Sequence, residues 1–142
     1  MSKLQPGPRK RPARDNGDTP PGTWRGCVRL WIDVSRRGAV GPGKLRLLEA
    51  IATTRSLSAA AKKLRMSYRL AWKHLQLIEE RTGLTVVERQ RGGQHGGGTD
   101  LTSDGRALLE AYRNWRGETE EHMQAAFHRH FAPWTRTGRG RA

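Results

Sequence analysis

The stretch Ser56-Leu57-Ser58-Ala59-Ala60-Ala61-Lys62-Lys63-Leu64-Arg65-Met66-Ser67-Tyr68-Arg69-Leu70-Ala71-Trp72-Lys73-His74-Leu75-Gln76-Leu77-Ile78-Glu79-Glu80-Arg81-Thr82-Gly83 decides the fold. Ser58 or Ser56 is a good N-cap for a short helix of strong helix formers, Ala59 to Leu64. Arg65-Met66 makes a tight connection. Ser67 can cap a second, longer helix, and Gly83 supplies its stop. Two helices joined by so short a turn, with alanines where they must approach closely, describe a helix-turn-helix.

At 100° per residue the second helix separates into two faces. Ala71, Leu75 and Ile78 share one face and should pack on neighbouring helices. Arg69, Lys73 and Gln76 cluster opposite, Ser67 and Tyr68 stand at the N-terminal end, and Trp72 lies on the flank. From Arg55 to Lys73 there are six basic residues and no acid. A helix entering a major groove needs this layout. Arg or Lys can reach guanine or phosphate, Gln can pair with adenine, and no carboxylate stands in the way. Glu79 and Glu80 come only at the far end.

Leu84 to Arg89 reads as a strand. Gln90-Arg91-Gly92-Gly93-Gln94-His95-Gly96-Gly97-Gly98 follows as a loop, and Thr99-Asp100-Leu101 as a short return strand. A strand, glycine loop and strand directly behind such a helix form a wing. Five glycines let its tip approach a sugar-phosphate backbone without side-chain obstruction, and Arg89, Arg91, Gln94 and His95 supply donors. The loop lacks the terminal Lys-Ser/Thr and following helix of a nucleotide-binding P-loop.

Upstream, Val28, Leu30, Ile32 and Val34 alternate with Arg29, Trp31, Asp33 and Ser35, the period of a half-buried strand. Arg36-Arg37-Gly38 reads as the turn and Ala39-Val40 as the return. Gly41-Pro42-Gly43 then introduces a helix at Lys44, with Leu45, Leu48, Ala52, Leu47 and Ile51 on or beside its apolar face. Downstream, Thr102 caps a helix expected to run to about His130, stopping before Pro133. Along it Leu108, Tyr112, Trp115, Thr119, His122/Met123 and Ala126 recur at spacings of four and three. This stripe suits a dimer seam, with Leu108, Tyr112, Trp115 and Met123 as its candidate residues. The alternative is a helix folded back over its own domain. His122, His128 and His130 do not make a metal set, since an i,i+2 pair cannot share a helix face.

The whole chain has 142 residues and a net charge of +14. Mean hydropathy is −0.81. The charge divides as +4 over residues 1–26, +8 over 27–101 and +2 over 102–142. Its excess therefore falls where the hydrophobic pattern is strongest, which favours a folded basic surface and a polyanionic partner. Residues 1–26 hold five of the seven prolines and too little apolar surface to offset ordering entropy, so they are expected to form a disordered basic arm. Residues 27–131 are expected to be the folded domain, with the dimer helix from about 102, and 132–142 a basic tail. Cys27 is the only cysteine, which excludes an intrachain disulfide and a CxxC metal site. No apolar run reaches membrane-spanning length and no signal peptide is visible, so the expected location is cytoplasmic. No paired carboxylates, nucleophile elbow or Ser/His/Asp arrangement suggests an enzyme.

Three runs of residues resemble the N-terminal DNA-binding domain of ModE-type molybdate-responsive regulators, relatives of the LysR winged helices. They are Gly41 to Ile51 with Ser56-Leu57-Ser58-Ala59-Ala60-Ala61, then Met66-Ser67-Tyr68-Arg69-Leu70-Ala71-Trp72, then Gly92 to Gly98 with Leu101-Thr102-Ser103-Asp104-Gly105. The likeness covers about residues 27–130. It implies a mainly α chain with a small β component: a winged helix-turn-helix with an N-terminal β-hairpin and a long C-terminal dimerisation helix. It further implies a homodimer on palindromic operator DNA. In the family a molybdate-binding module follows this domain, whereas this sequence ends at Ala142, soon after the long helix. Molybdate is therefore not expected to bind this chain directly, and no cofactor is expected. An architectural or non-specific nucleic-acid-binding protein is the competing expectation.

Overall fold

The computed structural model describes residues 23–34, 39–93 and 96–135. Its elements run β1 (Ile32–Asp33), β2 (Ala39–Val40), α1 (Pro42–Thr54), α2 (Leu57–Lys63), α3 (Tyr68–Thr82), β3 (Val87–Gly93), β4 (Gly96–Leu101) and α4 (Ser103–Thr135). They form two compact units, Arg29–Glu118 and a second made from the segments up to Val28 and from Thr119 onward. The expected turn at Arg36–Gly38, the arm before residue 23 and the tail after residue 135 lie outside the described residues.

In the larger unit β1 and β2 form a two-stranded antiparallel ladder pairing Ile32 with Val40 and Asp33 with Ala39. The expected strand from Val28 is thus shortened to two residues. Its burial still alternates, with Val28, Leu30, Ile32 and Val34 half-buried between exposed neighbours. The reason is on the partner side: Gly41 and Pro42 end the return, so nothing remains to pair with the earlier residues.

Helix α1 starts at Pro42, two residues before the expected Lys44. Gly41 is its N-cap and Pro42 occupies the first turn, where a missing N–H costs nothing and a fixed φ is already helical. Its buried side chains are Leu45, Leu47, Leu48, Ala50 and Ile51. They meet Leu57, Ala60 and Ala61 of α2, Ala71, Leu75 and Ile78 of α3, and Val86, Leu101, Leu109 and Tyr112 in one continuous core.

Two serines set the boundaries of the helix pair. Ser56, not Ser58, caps α2, its Oγ accepting the Ala59 N–H at 3.1 Å. Ser67 caps α3 in the same way, accepting the Leu70 N–H at 3.1 Å. Between them the chain turns at Arg65, whose φ is 55°, and the Met66 N–H returns to the Ala61 carbonyl at 3.0 Å. Gly83 closes α3 at φ 74°, its N–H bonded to the Glu79 carbonyl.

Residues 84–86, expected as strand, do not join the ladder. The Val86 N–H donates to Glu79 Oε1 at 2.8 Å, and its carbonyl accepts the Thr102 N–H at 3.1 Å. Helix termini satisfy this buried residue, so no strand partner is needed. The hairpin begins at Val87, which pairs with Leu101, and continues through Glu88 with Asp100, Arg89 with Thr99 and Gln90 with Gly98. It runs on into the glycines, with Gly93 opposite Gly96 and a register shift between Gln90 and Gly93. The glycine run is therefore mostly ladder rather than loop.

Thr102 caps α4, accepting the Gly105 N–H at 3.0 Å. Within the larger unit this helix contributes Leu109 and Tyr112 to the core, both 3% exposed. The Tyr112 hydroxyl donates to the Leu30 carbonyl at 3.4 Å. Tyr112, expected on a dimer seam, thus faces its own core. Leu108 is half-buried, while Trp115 remains 42% exposed.

The smaller unit pairs the segment Thr23–Val28 with α4 from Thr119 to Thr135. Trp24 stacks with Trp134 at 6.0 Å between ring centroids, and Phe127 stacks with Phe131 at 4.6 Å. Gln124 donates to the Gly26 carbonyl at 3.1 Å. Gly26 lies so close to Met123 and Phe127 that no Cβ could fit there without displacing them. Residues 23–26, expected inside a disordered arm, are therefore packed segment. The helix also passes Pro133 and ends at Thr135. In a last turn, proline removes one backbone bond rather than interrupting a continuing ladder.

Candidate nucleic-acid interface

The exposed side of α3 assembles as its angles dictate. Arg69, Lys73 and Gln76 are all exposed, whereas Ala71, Leu75 and Ile78 are buried. No acid lies in the first turn, so the positive end of the helix dipole and the basic side chains have the same sign. Tyr68 is 51% and Leu70 42% exposed at this end. In sequence, Leu70 stands between Arg69 and buried Ala71 and gives no signal beyond an apolar residue in an amphipathic helix, so its exposure is not foreseeable there. An exposed leucine on the leading turn offers a surface for a thymine methyl group.

Trp72 does something other than face outward. It is half-buried against the core, and the Arg89 guanidinium lies over its ring, 5.5 Å from the centroid. The tryptophan thus ties the first strand of the hairpin to α3. Arg91, farther along β3, is exposed. Gln94 and His95 lie outside the described residues.

The second strand is tied as well. Asp100 is buried, and its Oδ1 accepts from Arg106 Nη2 at 2.7 Å. Its Oδ2 stands 3.4 Å from Arg55 Nε. Arg55 is the first of the two residues between α1 and α2, and its carbonyl accepts the Thr99 N–H at 3.1 Å. By sequence Arg55 counts only as one of the cations of the basic face, and Asp100 gives no signal, because the two partners stand far apart along the chain.

The electrostatics on the inner side of α3 follow from crowding of like charge. His74 is held below its ordinary value first by burial and then by Lys44 and Lys73. Lys44 is lowered in turn by burial and by Arg81. The imidazole is therefore neutral at pH 7, and its Nδ1 is buried without a hydrogen-bond partner among the described residues. Glu79, by position an acid at the exit from a groove, has a structural task on the Val86 N–H.

Among the described residues no three His, Cys, Asp or Glu side chains are grouped to hold a metal ion. No helix among them is long and apolar enough to cross a membrane.

Residues 42–106 match the family of bacterial regulatory helix-turn-helix proteins, lysR family. Transcriptional regulator ModE of Haemophilus influenzae is 36% identical over 71% of this chain and 38% of its own length. Molybdenum-pterin-binding protein MopB of Rhodobacter capsulatus is 40% identical over 61% of this chain and 32% of its own. A solved chain from the crystal structure of the CbnR_DBD-DNA complex is 29% identical, with a TM-score of 0.46, over 58% of this chain and 93% of that one. The chain thus spans about a third of the length of the curated relatives it matches. The matched segment holds α1, α2, α3 and the hairpin, together with the first residues of α4. Residues 42–106 are thus similar to the lysR-family helix-turn-helix proteins, and the chain resembles ModE-type regulators over part of their length.

Proposed function

We propose that the chain is a sequence-specific DNA-binding transcriptional regulator acting in the cytoplasm, with α3 in a major groove and the β3–β4 hairpin as its wing. One observation carries this reading. The exposed face of α3 presents Ser67, Tyr68, Arg69, Lys73 and Gln76 with no acid in its leading turn, on a helix capped and packed as a helix-turn-helix requires. Arg69 suits guanine, Gln76 suits adenine and Leu70 suits a thymine methyl, while Arg89 and Arg91 suit the flanking backbone. The regulators among the relatives support this reading, and no catalytic role is assigned.

Palindromic operators call for two copies. Trp115, Leu108 and Met123 of α4 are the side chains proposed for that contact. Half-sites then lie about one helical turn, ~34 Å, or a multiple of it apart. A mass measurement that finds only monomer at micromolar concentration overturns the dimer.

Selection of binding sites from genomic fragments tests the whole proposal. Enrichment of a two-fold symmetric site is the expected result, and it should be the same with and without molybdate, to which no residue of this chain is assigned. Failure to enrich any site over competitor DNA would mean an architectural, non-specific binder instead.

A further inference from the structure

Among the described residues Asp100 is the one charged side chain in the core, 4% exposed. Its setting is unusual for a surface that meets a polyanion. The two cations it neutralises, Arg55 and Arg106, keep 75% and 52% of their side-chain surface open to solvent. Each would otherwise add to the attraction for phosphate. An acid that cancels part of that attraction must contribute something else.

What it contributes is visible in its neighbours on β4. Asp100 accepts the backbone N–H of Leu101 at 2.7 Å as well as the two arginines. Thr99 donates to the Arg55 carbonyl. Gly98 approaches that carbonyl so closely that a Cβ would stand 2.7 Å from it. Two consecutive residues of β4, Thr99 and Asp100, are thus fastened to one corner residue, with Gly98 packed closely against it, and that corner is held in the left-handed region at φ 52°. Thr99 is the register partner of Arg89, so whatever fixes Thr99 also places the first basic residue of the wing.

We propose that Asp100 is a positioning residue for the wing: its ion pairs with Arg55 and Arg106 lock the hairpin onto the α1–α2 corner, so that Arg89 and Arg91 meet the duplex that α3 reads. The proposal rests on the DNA-binding reading above. It differs from simple electrostatics in the sign of its effect. Asp100→Asn removes a negative charge and releases two arginines, which on charge alone tightens DNA binding and steepens its salt dependence. Positioning requires the reverse: weaker binding, with a salt slope shallower by about 0.9 for each phosphate that the wing no longer neutralises.

The experiment measures affinity for a selected site as a function of salt for the full chain, for Asp100→Asn, for Arg91→Ala and for the double variant. Folded fraction is checked by circular dichroism at the same temperature. Weaker binding and a shallower slope in Asp100→Asn, with most of that effect absent when Arg91 is already alanine, support the proposal. Unchanged or tighter binding, or effects that simply add, overturn it. Gly98→Ala forces the same strand off the Arg55 carbonyl without changing any charge. If Asp100→Asn does not fold, a shallower slope in Gly98→Ala supports the proposal and an unchanged slope overturns it. Absence of salt-dependent binding by the unaltered chain is a different result, because it removes the DNA reading itself.

Discussion

The Arg89 guanidinium rests over the Trp72 ring at 5.5 Å, so a residue of β3 is tied to a residue of α3. Arg91, two positions on, is exposed on the same strand. The two arginines should therefore separate in their effects. Arg89→Met keeps the alkyl stem but removes the charge over the ring, and is expected to cost about 0.5–1 kcal/mol of stability. Arg91→Met should leave the unfolding midpoint unchanged. Both should lower the salt dependence of DNA binding, by about 0.9 in slope for each phosphate left without its arginine. Denaturant titration and salt-dependent affinity on the same preparations distinguish the two roles. Equal stability for both variants would mean that the Trp72 contact contributes nothing.

Two glycines of α4 have opposite surroundings, and alanine at each should act in opposite directions. A Cβ on Gly105 would collide with the Val86 carbonyl, a backbone atom that already accepts the Thr102 N–H. No rotamer change can relieve that clash, so Gly105→Ala is expected to lose about 1–3 kcal/mol. Gly117 has open space around it, and Gly117→Ala should gain up to about 1 kcal/mol from helix propensity alone. Calorimetric melting of the two variants gives the signs directly. A stable Gly105→Ala would mean that α4 is not seated on Val86 as described.

The existence of α2 and α3 is legible in the sequence because their signals are local: capping serines, an apolar period and a terminal glycine lie within one stretch. Which serine caps α2 is not, since both Ser56 and Ser58 satisfy the composition rule. The structure separates them through Leu57, which is buried and must already be in the helix. The Arg69–Lys73–Gln76 face is legible for the same local reason. The roles of Asp100, Trp72 and Tyr112 are not, because their partners are distant along the chain: Arg55, Arg89 and Leu30 respectively. A stripe at heptad spacing shows that a face is apolar without saying what covers it. Tyr112 is covered by its own domain.

That distinction between the serines is measurable. Ser56→Ala and Ser67→Ala each remove a side-chain acceptor for an otherwise unsatisfied helix-terminal N–H, and should cost about 0.5–2 kcal/mol apiece. Ser58→Ala lies inside the first turn of α2, exposed, and should be neutral or slightly stabilising. Urea unfolding of the three variants is sufficient. A larger loss at Ser58 than at Ser56 would place the start of α2 two residues later.

The last expectation concerns pH and has a definite sign. His74 is held below its ordinary value of 6.5 by burial and by the positive charges of Lys44 and Lys73. The unfolded chain therefore takes up a proton at this position at a higher pH than the folded chain does. Above the unfolded value both states carry a neutral imidazole, and the contribution of His74 to stability is fully present. As pH falls below 6.5 the unfolded state binds the proton first, and stability is lost progressively until the lowered folded value is passed. Melting temperature should accordingly begin to decline as pH falls through 6.5, with the sign set by the lowered folded value. His74→Gln keeps a polar side chain of similar reach without a titrating proton, and should flatten that decline. An identical pH profile for the variant would show that acid sensitivity in this range comes from elsewhere in the chain.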